Sequence, residues 1–231
     1  MTSKIIKLTP NPAGFGEAQD ELEQSMFSSS LPIQHSHMAY EDDDIGLYVG
    51  VWDTTDMVEE PGAYPCDEFM VLLEGQAQVK NNATGELEQV NSGQSFVIPK
   101  GHDCQWHQQG YLRKYFVIWE HPHYAMPEKP STDKLLIDGQ DYLDTTKQFS
   151  SGKSNHSTYS ERVSAHPCHE FIYVTQGTIV IYNQQQEITL VSGDAVFIPQ
   201  ATPCGMRASE NFIADVAKLS LETHPVDNNN E

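Results

Sequence analysis

Two stretches of the sequence carry residue types that could do chemistry, and they share one pattern. Residues 166–177 read HPCHEFIYVTQG and residues 64–75 read YPCDEFMVLLEG. The first stretch places two histidines, a cysteine and a glutamate within five positions, and all three residue types can bind transition metals. The second stretch keeps the cysteine and the glutamate but has no histidine. These residues are therefore either metal ligands or polar residues carried by a strand.

Both stretches belong to a longer internal repeat. Residues 64–79 align with 166–181 at an offset of 102, and residues 92–104 align with 192–204 at an offset of 100. Pro, Cys, Glu, Phe and Gly match in the first pair of segments, and Ser, Gly, Ile, Pro and Cys match in the second. Ordered matches in two blocks predict two copies of one module.

Apolar runs in both copies have the composition of β-strands, because they are rich in β-branched and aromatic residues and end at turn residues. These runs include FMVLLEGQAQV, SFVIP and YFVIW in the first copy, and EFIYVTQGTIVIY, QEITLV and DAVFIP in the second. The best helix candidate, residues 16–27, is short. The pattern predicts an all-β protein with one domain at 45–123 and another at 155–223.

The remaining segments lack this strand pattern and contain many Pro, Gly, Ser and acidic residues. Residues 1–44 are predicted to form an N-terminal arm, of which Met1–Lys7 could supply an edge strand. Residues 124–154 are predicted to connect the domains, with a short strand or turn near the sequence LLID. Residues 224–231 are predicted to be a disordered tail.

The spacing of glutamate, glycine and proline in both copies resembles the two motifs of the cupin superfamily, G-x5-H-x-H-x3-E-x6-G and G-x5-P-x-G-x2-H-x3-N. The matching residues are Glu68, Gly75, Gly93 and Pro99 in the first copy, and Glu170, Gly177, Gly193 and Pro199 in the second. The resemblance implies two tandem double-stranded β-helix (jelly-roll) barrels, that is, a bicupin. In the first half it is similar to the branch that includes ethanolamine-utilisation and ureidoglycine aminohydrolase-like proteins, through GVWDTTD, LEG, PKG and RKYFVI.

The resemblance also implies where metal ligands would lie in the C-terminal barrel. The two motif histidines correspond to Ser164 and His166, the glutamate to Glu170, and the last histidine to Cys204. His166, Glu170 and Cys204, with Ser164 as a fourth ligand, could therefore bind one divalent transition metal (Mn, Fe, Ni or Zn).

The N-terminal barrel has lost these ligands. The motif histidines correspond to Gly62, Tyr64 and Cys104, and only Glu68 is kept. No metal is expected in this barrel. Tyr64, Glu68, Cys104 and Trp106 are instead candidates for a pocket that binds a small organic molecule, although Tyr64 and Trp106 could equally fill the barrel interior.

The sequence leaves the roles of the other histidines and of the cysteines open. His169 has the opposite strand parity to Glu170 and is expected to face away from the barrel. Cys66 and Cys104 in the first half correspond to Cys168 and Cys204 in the second. These thiols could be metal ligands, redox-sensitive pairs or small apolar residues of the core.

Two further histidine pairs, at positions 35/37 and 121/123, have ligand-like spacing. Both lie outside the motifs, so we do not expect them to bind a metal.

Composition narrows the possible partners. Against 33 Asp and Glu the chain has 13 Lys and Arg, a formal charge of −20, which disfavours nucleic acids and anionic membranes. We see no signal peptide or transmembrane run and too few cysteines for a disulfide scaffold, so a cytoplasmic protein is expected. A small-molecule ligand and a possible homodimer are the expected partners.

Two functions remain open at this point. One is a bicupin that binds a small organic molecule in a barrel, with no assigned activity. The other is a metal-dependent enzyme, related to ureidoglycine aminohydrolase-like hydrolases, with its site in the C-terminal barrel. Cupins host both enzymes and binding proteins, so the resemblance does not choose between them.

Overall fold

The computed structural model describes residues 4–120, 123, 125–127, 134–155 and 160–221, and within these ranges the fold is nearly all-β. The strands are β1 (Ile6–Leu8), β2 (Gln34–Asp42), β3 (Leu47–Thr54), β4 (Met57–Val58), β5 (Gly62–Ala63), β6 (Asp67–Glu74), β7 (Gln76–Asn81), β8 (Leu87–Asn91), β9 (Ser95–Ile98), β10 (Asp103–Gln108), β11 (Leu112–Trp119), β12 (Leu136–Ile137), β13 (Tyr142–Leu143), β14 (Phe149–Ser154), β15 (Ser160–Ala165), β16 (His169–Gln176), β17 (Thr178–Tyr182), β18 (Glu187–Val191), β19 (Ala195–Ile198), β20 (Pro203–Ala208) and β21 (Ile213–Leu219). None of the helices within these ranges is long and apolar enough to cross a membrane.

Each half consists of a large and a small antiparallel sheet. In the first half the six-stranded sheet has the order β12-β9-β6-β11-β3-β2, and the smaller sheet contains β4, β10, β7 and β8, with β5 beside β10. In the second half the corresponding sheets have the orders β1-β19-β16-β21-β14-β13 and β15-β20-β17-β18. This architecture confirms the predicted all-β fold with two tandem jelly-roll modules.

The two large sheets pack against each other and form a core that both halves share. Phe69 and Tyr115 of the first half lie 5.8 and 6.2 Å, ring centroid to centroid, from Phe171 of the second. Trp119 stacks on Phe149 at 6.0 Å. Each half also has its own apolar interior between its large and small sheets, so the described residues form three cores.

The central strands β6 and β16 are buried on both faces because they separate two of these cores. Side chains alternate across a strand. In β6, Phe69 and Val71 belong to the shared core, whereas Met70 and Leu72 belong to the barrel interior. Glu68 has the parity of Met70 and therefore faces the barrel interior. Strand β16 repeats this arrangement and turns Glu170 into the second barrel.

The two halves exchange their edge strands. Strand β1, from the N-terminal segment, pairs with β19 of the second half, and β12, from the segment between the halves, pairs with β9 of the first. Ile5 and Leu135 precede these strands and are buried in the second and first barrel interiors, respectively. The edge strand predicted within Met1–Lys7 thus exists at Ile6–Leu8, and the LLID segment supplies the other.

Three expectations from the sequence need correction. The helix candidate at 16–27 contains only a 3-10 turn, Gln24–Met26, because Phe27 is drawn into the first barrel interior. The predicted arm, 1–44, includes strand β2 of the first large sheet, whose polar side chains hid its pattern. The predicted connection, 124–154, ends in β14, which pairs with β21 of the second half. The tail at 224–231 lies outside the described residues.

The shared core predicts that a single buried ring stabilises both halves. Phe171→Ala should lower the free energy of unfolding by roughly 3–5 kcal/mol, since Phe171 is fully buried between the sheets. Guanidinium denaturation followed by fluorescence should show one shifted transition. Leu143→Ala, at a side chain that is 57% exposed, should change stability by less than about 0.5 kcal/mol. A loss below about 1 kcal/mol for Phe171→Ala would contradict a shared core.

Candidate functional site

Each barrel contains one buried glutamate at the equivalent position of its central strand. Glu68 lies opposite Ile118 on the neighbouring strand β11, and Glu170 lies opposite Lys218 on β21. A carboxylate inside an apolar barrel requires partners, because an unpaired buried charge is costly. The partners differ between the two barrels, and they decide what each barrel can do.

In the N-terminal barrel, a lysine and a tyrosine hold the carboxylate of Glu68. Lys114 Nζ lies 2.8 Å from Glu68 Oε1, and both side chains are less than 10% exposed. The hydroxyl of Tyr64 donates to Glu68 Oε2, and burial followed by the charge of Glu68 raises the pKa of Tyr64 well above its usual value. Lys114 Nζ also lies 4.7 and 5.0 Å from the ring centroids of Trp52 and Trp106. The ion pair is therefore enclosed by aromatic rings.

In the C-terminal barrel, a histidine takes the place of the tyrosine. His166 Nε2 lies 2.8 Å from Glu170 Oε2, and Lys218 Nζ lies 3.1 Å from Glu170 Oε1. The pKa of Glu170 is lowered, since these two partners outweigh the raising effect of burial. Lys218 is 35% exposed, so this barrel is less tightly closed around its carboxylate than the first.

Two thiols complete this second cluster. The Sγ of Cys204 lies 3.7 Å from His166 Nδ1. His166, Cys168 and Glu170 each offer a ligand atom, and these atoms lie within 4.8 Å of one another. Although burial lowers the pKa of His166, hydrogen bonds to both thiols and to Glu170, with the charge of Glu170, raise it to about 11.

The structure groups a set of ligand types that differs from the set expected from the sequence. Cys168, which the family motif does not count as a ligand, lies with His166 and Glu170, and its position two residues before Glu170 gives it the same strand parity. Ser164 pairs with Cys204 through the backbone but is exposed and is not part of the group. In the described part of the chain no other group of three such residues was found.

The donor types fit a transition metal that accepts sulfur and nitrogen. Thiolate and imidazole ligands favour Zn²⁺ or Fe²⁺ over a hard cation such as Mg²⁺. His166 could use one ring nitrogen for the metal and keep the hydrogen bond of the other, as metal-bound histidines usually do. Because the thiols and the imidazolium would have to lose protons, metal uptake would release protons.

Two adjoining cavities open into the N-terminal barrel, with volumes of about 300 and 260 Å³. Glu68 and Lys114 line the larger cavity, and Tyr64 and Cys104 line the smaller one. The predicted pocket residues thus lie on cavity walls, except for Trp106, which packs behind Trp52 and Phe96. Met26, Phe27 and Glu59 line both cavities.

Sequence reasoning also missed Glu59 as a candidate site residue. It occupies a variable position of the first motif and follows the two-residue strand β4. Burial, partly offset by Lys114 and increased by Glu68, raises the pKa of its carboxyl group to about 7. The signal available in the sequence was an acidic pair, Glu59 and Glu60, among the variable positions of that motif, which resembles an ordinary solvated loop.

The environment of the two cysteines in the first half disfavours their thiolate form. Cys66 and Cys104 are buried. Burial followed by the charge of Glu68 raises the pKa of Cys66 well above its usual value, and burial raises that of Cys104 to about 12, with a contribution from Glu59. Thiols in this state are poor nucleophiles, and they act as small core residues.

The remaining histidines lie where strand geometry places them. His169 faces the shared core and stacks on Phe197 at 6.1 Å, which confirms that it points away from Glu170. The ring of His35 donates or accepts a 2.7 Å hydrogen bond with Asp53, which ties strand β2 to β3. In the pair at 121/123, position 121 lies outside the described residues.

Family models match both halves of the chain. The EutQ-like cupin domain matches residues 44–116, and the cupin domain matches residues 156–216. The chain belongs to the cupin superfamily. It is a bicupin, with the EutQ-like branch in its first half. No curated protein matches the sequence.

Solved structures with the same fold cover almost the whole bicupin. A protein of unknown function of the DUF861 family from Pseudomonas syringae pv. tomato is 18% identical, with a TM-score of 0.63 over 94% of this chain and 100% of its own. Ylba from E. coli, also of DUF861, is 12% identical, with a TM-score of 0.60 over 98% of this chain and 95% of its own. A putative dioxygenase from Nostoc punctiforme is 11% identical, with a TM-score of 0.61 over 98% of this chain and 86% of its own. At these identities the likeness shows the fold alone.

The ion pairs of the bicupin predict unequal costs for the loss of its two barrel lysines. Lys114→Met leaves the carboxylate of Glu68 buried without its cation and should lower the free energy of unfolding by roughly 3–5 kcal/mol. Lys218→Met is the matched control. It should cost about 1 kcal/mol or less, because Lys218 is partly exposed and Glu170 keeps His166. Urea denaturation measures both.

A double variant, Glu68→Gln with Lys114→Met, should recover most of the loss, because it removes the unpaired charge along with the cation. Equal losses for Lys114→Met and Lys218→Met would contradict this account of the two barrels.

Proposed function

We propose that this bicupin binds a small organic molecule in its N-terminal barrel. The supporting observation is the larger cavity of about 300 Å³, whose walls include the buried pair Glu68–Lys114 and the face of Trp52. Ligand sites are typically concave and mostly apolar, with a few placed polar groups. The volume is at the low end of such sites, which favours a compact ligand.

The polar groups of this barrel are arranged as in a binding site. Lys114, Glu68 and Tyr64 fix one another's positions, so a ligand would meet them without further ordering. Phe27 and Phe116 add apolar wall to the same cavity. A ligand that buries apolar area against these rings while bonding to the polar groups would gain both kinds of interaction.

A fragment screen by ligand-observed NMR tests this proposal. The screen should contain compact cationic, neutral and anionic molecules in equal numbers. Hits should be lost in Met26→Trp, because Met26 lines both cavities and is 52% exposed. The larger side chain would narrow both cavities without entering the core.

Thr189→Trp, at an exposed position of strand β18 in the other half, is the control and should keep the hits. An absence of hits for the unmodified protein, or hits that survive Met26→Trp, would contradict a ligand site in this barrel.

A second function is favoured by a separate observation, the grouping of His166, Cys168 and Glu170 with Cys204 nearby. In this alternative the bicupin is a metal-dependent enzyme, related to ureidoglycine aminohydrolase-like hydrolases, with its site in the C-terminal barrel. A bound metal would supply Lewis-acid chemistry. His166, Cys168 and Glu170 would hold it, and Lys218 would balance the negative charge of the ligands.

Elemental analysis of protein purified without chelators tests this alternative. We expect about one equivalent of Zn, Fe, Mn or Ni, which falls several-fold in Cys168→Ser and Glu170→Gln because each removes a ligand. Cys66→Ser, at the equivalent position of the first half, should keep the metal. A content below about a tenth of an equivalent after incubation with each metal would exclude the metal-dependent enzyme.

A further inference from the structure

We propose that the ligand of the N-terminal barrel is a small organic cation, and that the carboxylate of Glu59 binds its charged group. This inference rests on the proposed function and adds the chemical class of the ligand. It follows from the charges and hydrogen bonds of the residues that line the two cavities, taken one at a time.

The charged groups on the cavity walls are mostly acidic. Asp20, Glu59 and Glu68 line the larger cavity, and Glu60 lines the smaller one together with Glu59. Lys114 is the single cationic residue on the described walls of the two cavities, and it is already paired with Glu68 at 2.8 Å. An anionic ligand would meet like charges here without a free cation to balance them.

Three of the four acidic groups already have partners. Asp20 accepts hydrogen bonds from the backbone and the hydroxyl of Ser36, and Glu60 accepts one from Ser28. The Glu68 carboxylate is held by its lysine and tyrosine. Among the described residues, the carboxylate of Glu59 makes no hydrogen bond or ion pair, although its backbone is fixed to Trp106 and Gln105.

Glu59 therefore has a fixed backbone and a carboxyl group without a partner among the described residues, and it lines both cavities. Because Glu59 lines both cavities, a ligand in either cavity could contact it. Burial raises its pKa to about 7 because it disfavours the charged form. A bound cation would favour that charged form.

The apolar walls also suit an organic cation rather than a bare metal ion. Phe27, Trp52 and Phe116 line the larger cavity. The faces of such rings attract alkylammonium groups, and they already accept one ammonium group, that of Lys114 against Trp52. A hard cation such as Mg²⁺ would need several oxygen ligands, whereas one unpartnered carboxylate is available here.

Three small molecules of matched size test this inference: n-propylammonium, propan-1-ol and propionate. Titrations followed by tryptophan fluorescence or NMR, in phosphate buffer free of amines, should show binding of propylammonium at pH 8. Propan-1-ol should bind at least about tenfold more weakly, and propionate should not bind.

Glu59→Gln, which keeps the size of the side chain, should weaken the binding of propylammonium at least about tenfold. Glu74→Gln removes the same charge from the exposed end of strand β6 and should leave the affinity within about twofold. Far-ultraviolet circular dichroism would show that both variants are folded.

The pH dependence provides an independent readout. Since the carboxyl group of Glu59 titrates near pH 7 while the ligand stays protonated, the affinity should rise several-fold from pH 6 to pH 8 and then level off. The titratable and charged groups that face or border Glu59 are Asp20, Glu60, Tyr64, Glu68, Cys104 and Lys114. The rise should disappear in Glu59→Gln, which separates it from the titration of these neighbours.

Each alternative result has a distinct meaning. Equal binding of propylammonium and propan-1-ol, or an affinity unchanged by Glu59→Gln, would overturn the cationic class. If the fragment screen yields anions whose binding is lost in Met26→Trp, the ligand site stands and only this inference falls. If neither the screen nor the matched molecules show binding, both fall.

Discussion

The central strands β6 and β16 are buried on both faces, and the rest of the molecule depends on this constraint. One face of each strand contributes to a core shared by the two halves, and the other face lines a barrel interior. A substitution on the first face alters packing that both halves share, whereas a substitution on the second face alters the packing of one barrel. Chemistry is therefore confined to the inward positions, beginning with Glu68 and Glu170.

The two barrels neutralise the same buried carboxylate in different ways, and the difference separates their chemistry. In the first barrel, Lys114 lies four residues before Ile118, the residue opposite Glu68. Its ammonium group contacts two tryptophan rings as well as Glu68. In the second, Lys218 lies directly opposite Glu170 and remains partly exposed. The remaining oxygen meets a tyrosine in one barrel and a histidine in the other. Tyr64 only donates a hydrogen bond to its glutamate. His166 lies beside its glutamate and two thiols, and all of these are residue types that can bind a transition metal.

The sequence could predict what local periodicity and repetition encode. The repeat predicted two copies of one β-module, and the resemblance to cupins implied that each is a jelly roll. Strand parity placed Glu170 inward and His169 outward, because side chains alternate along a strand. Parity does not tell which inward residues act together. Cys168 lies two residues before Glu170 and has the same parity, but the family motif counts no ligand at its position. Strand β2 escaped prediction because it has polar residues on both faces. The exchange of β1 and β12 depends on the packing of two halves, and no local pattern records it.

The buried carboxyl group of Glu59 has a cost to the folded state. A carboxyl group whose pKa rises from its ordinary value to about 7 on folding binds protons more readily in the folded chain than in the unfolded one. Stability therefore falls as the pH increases through this range, the reverse of the behaviour of a carboxylate in an ion pair. Among the described residues, Lys114 offsets part of this loss at neutral pH, and none offsets the rest. A bound cation would, because it interacts with the charged form in the folded state alone, so ligand binding and stability would be coupled through this one group.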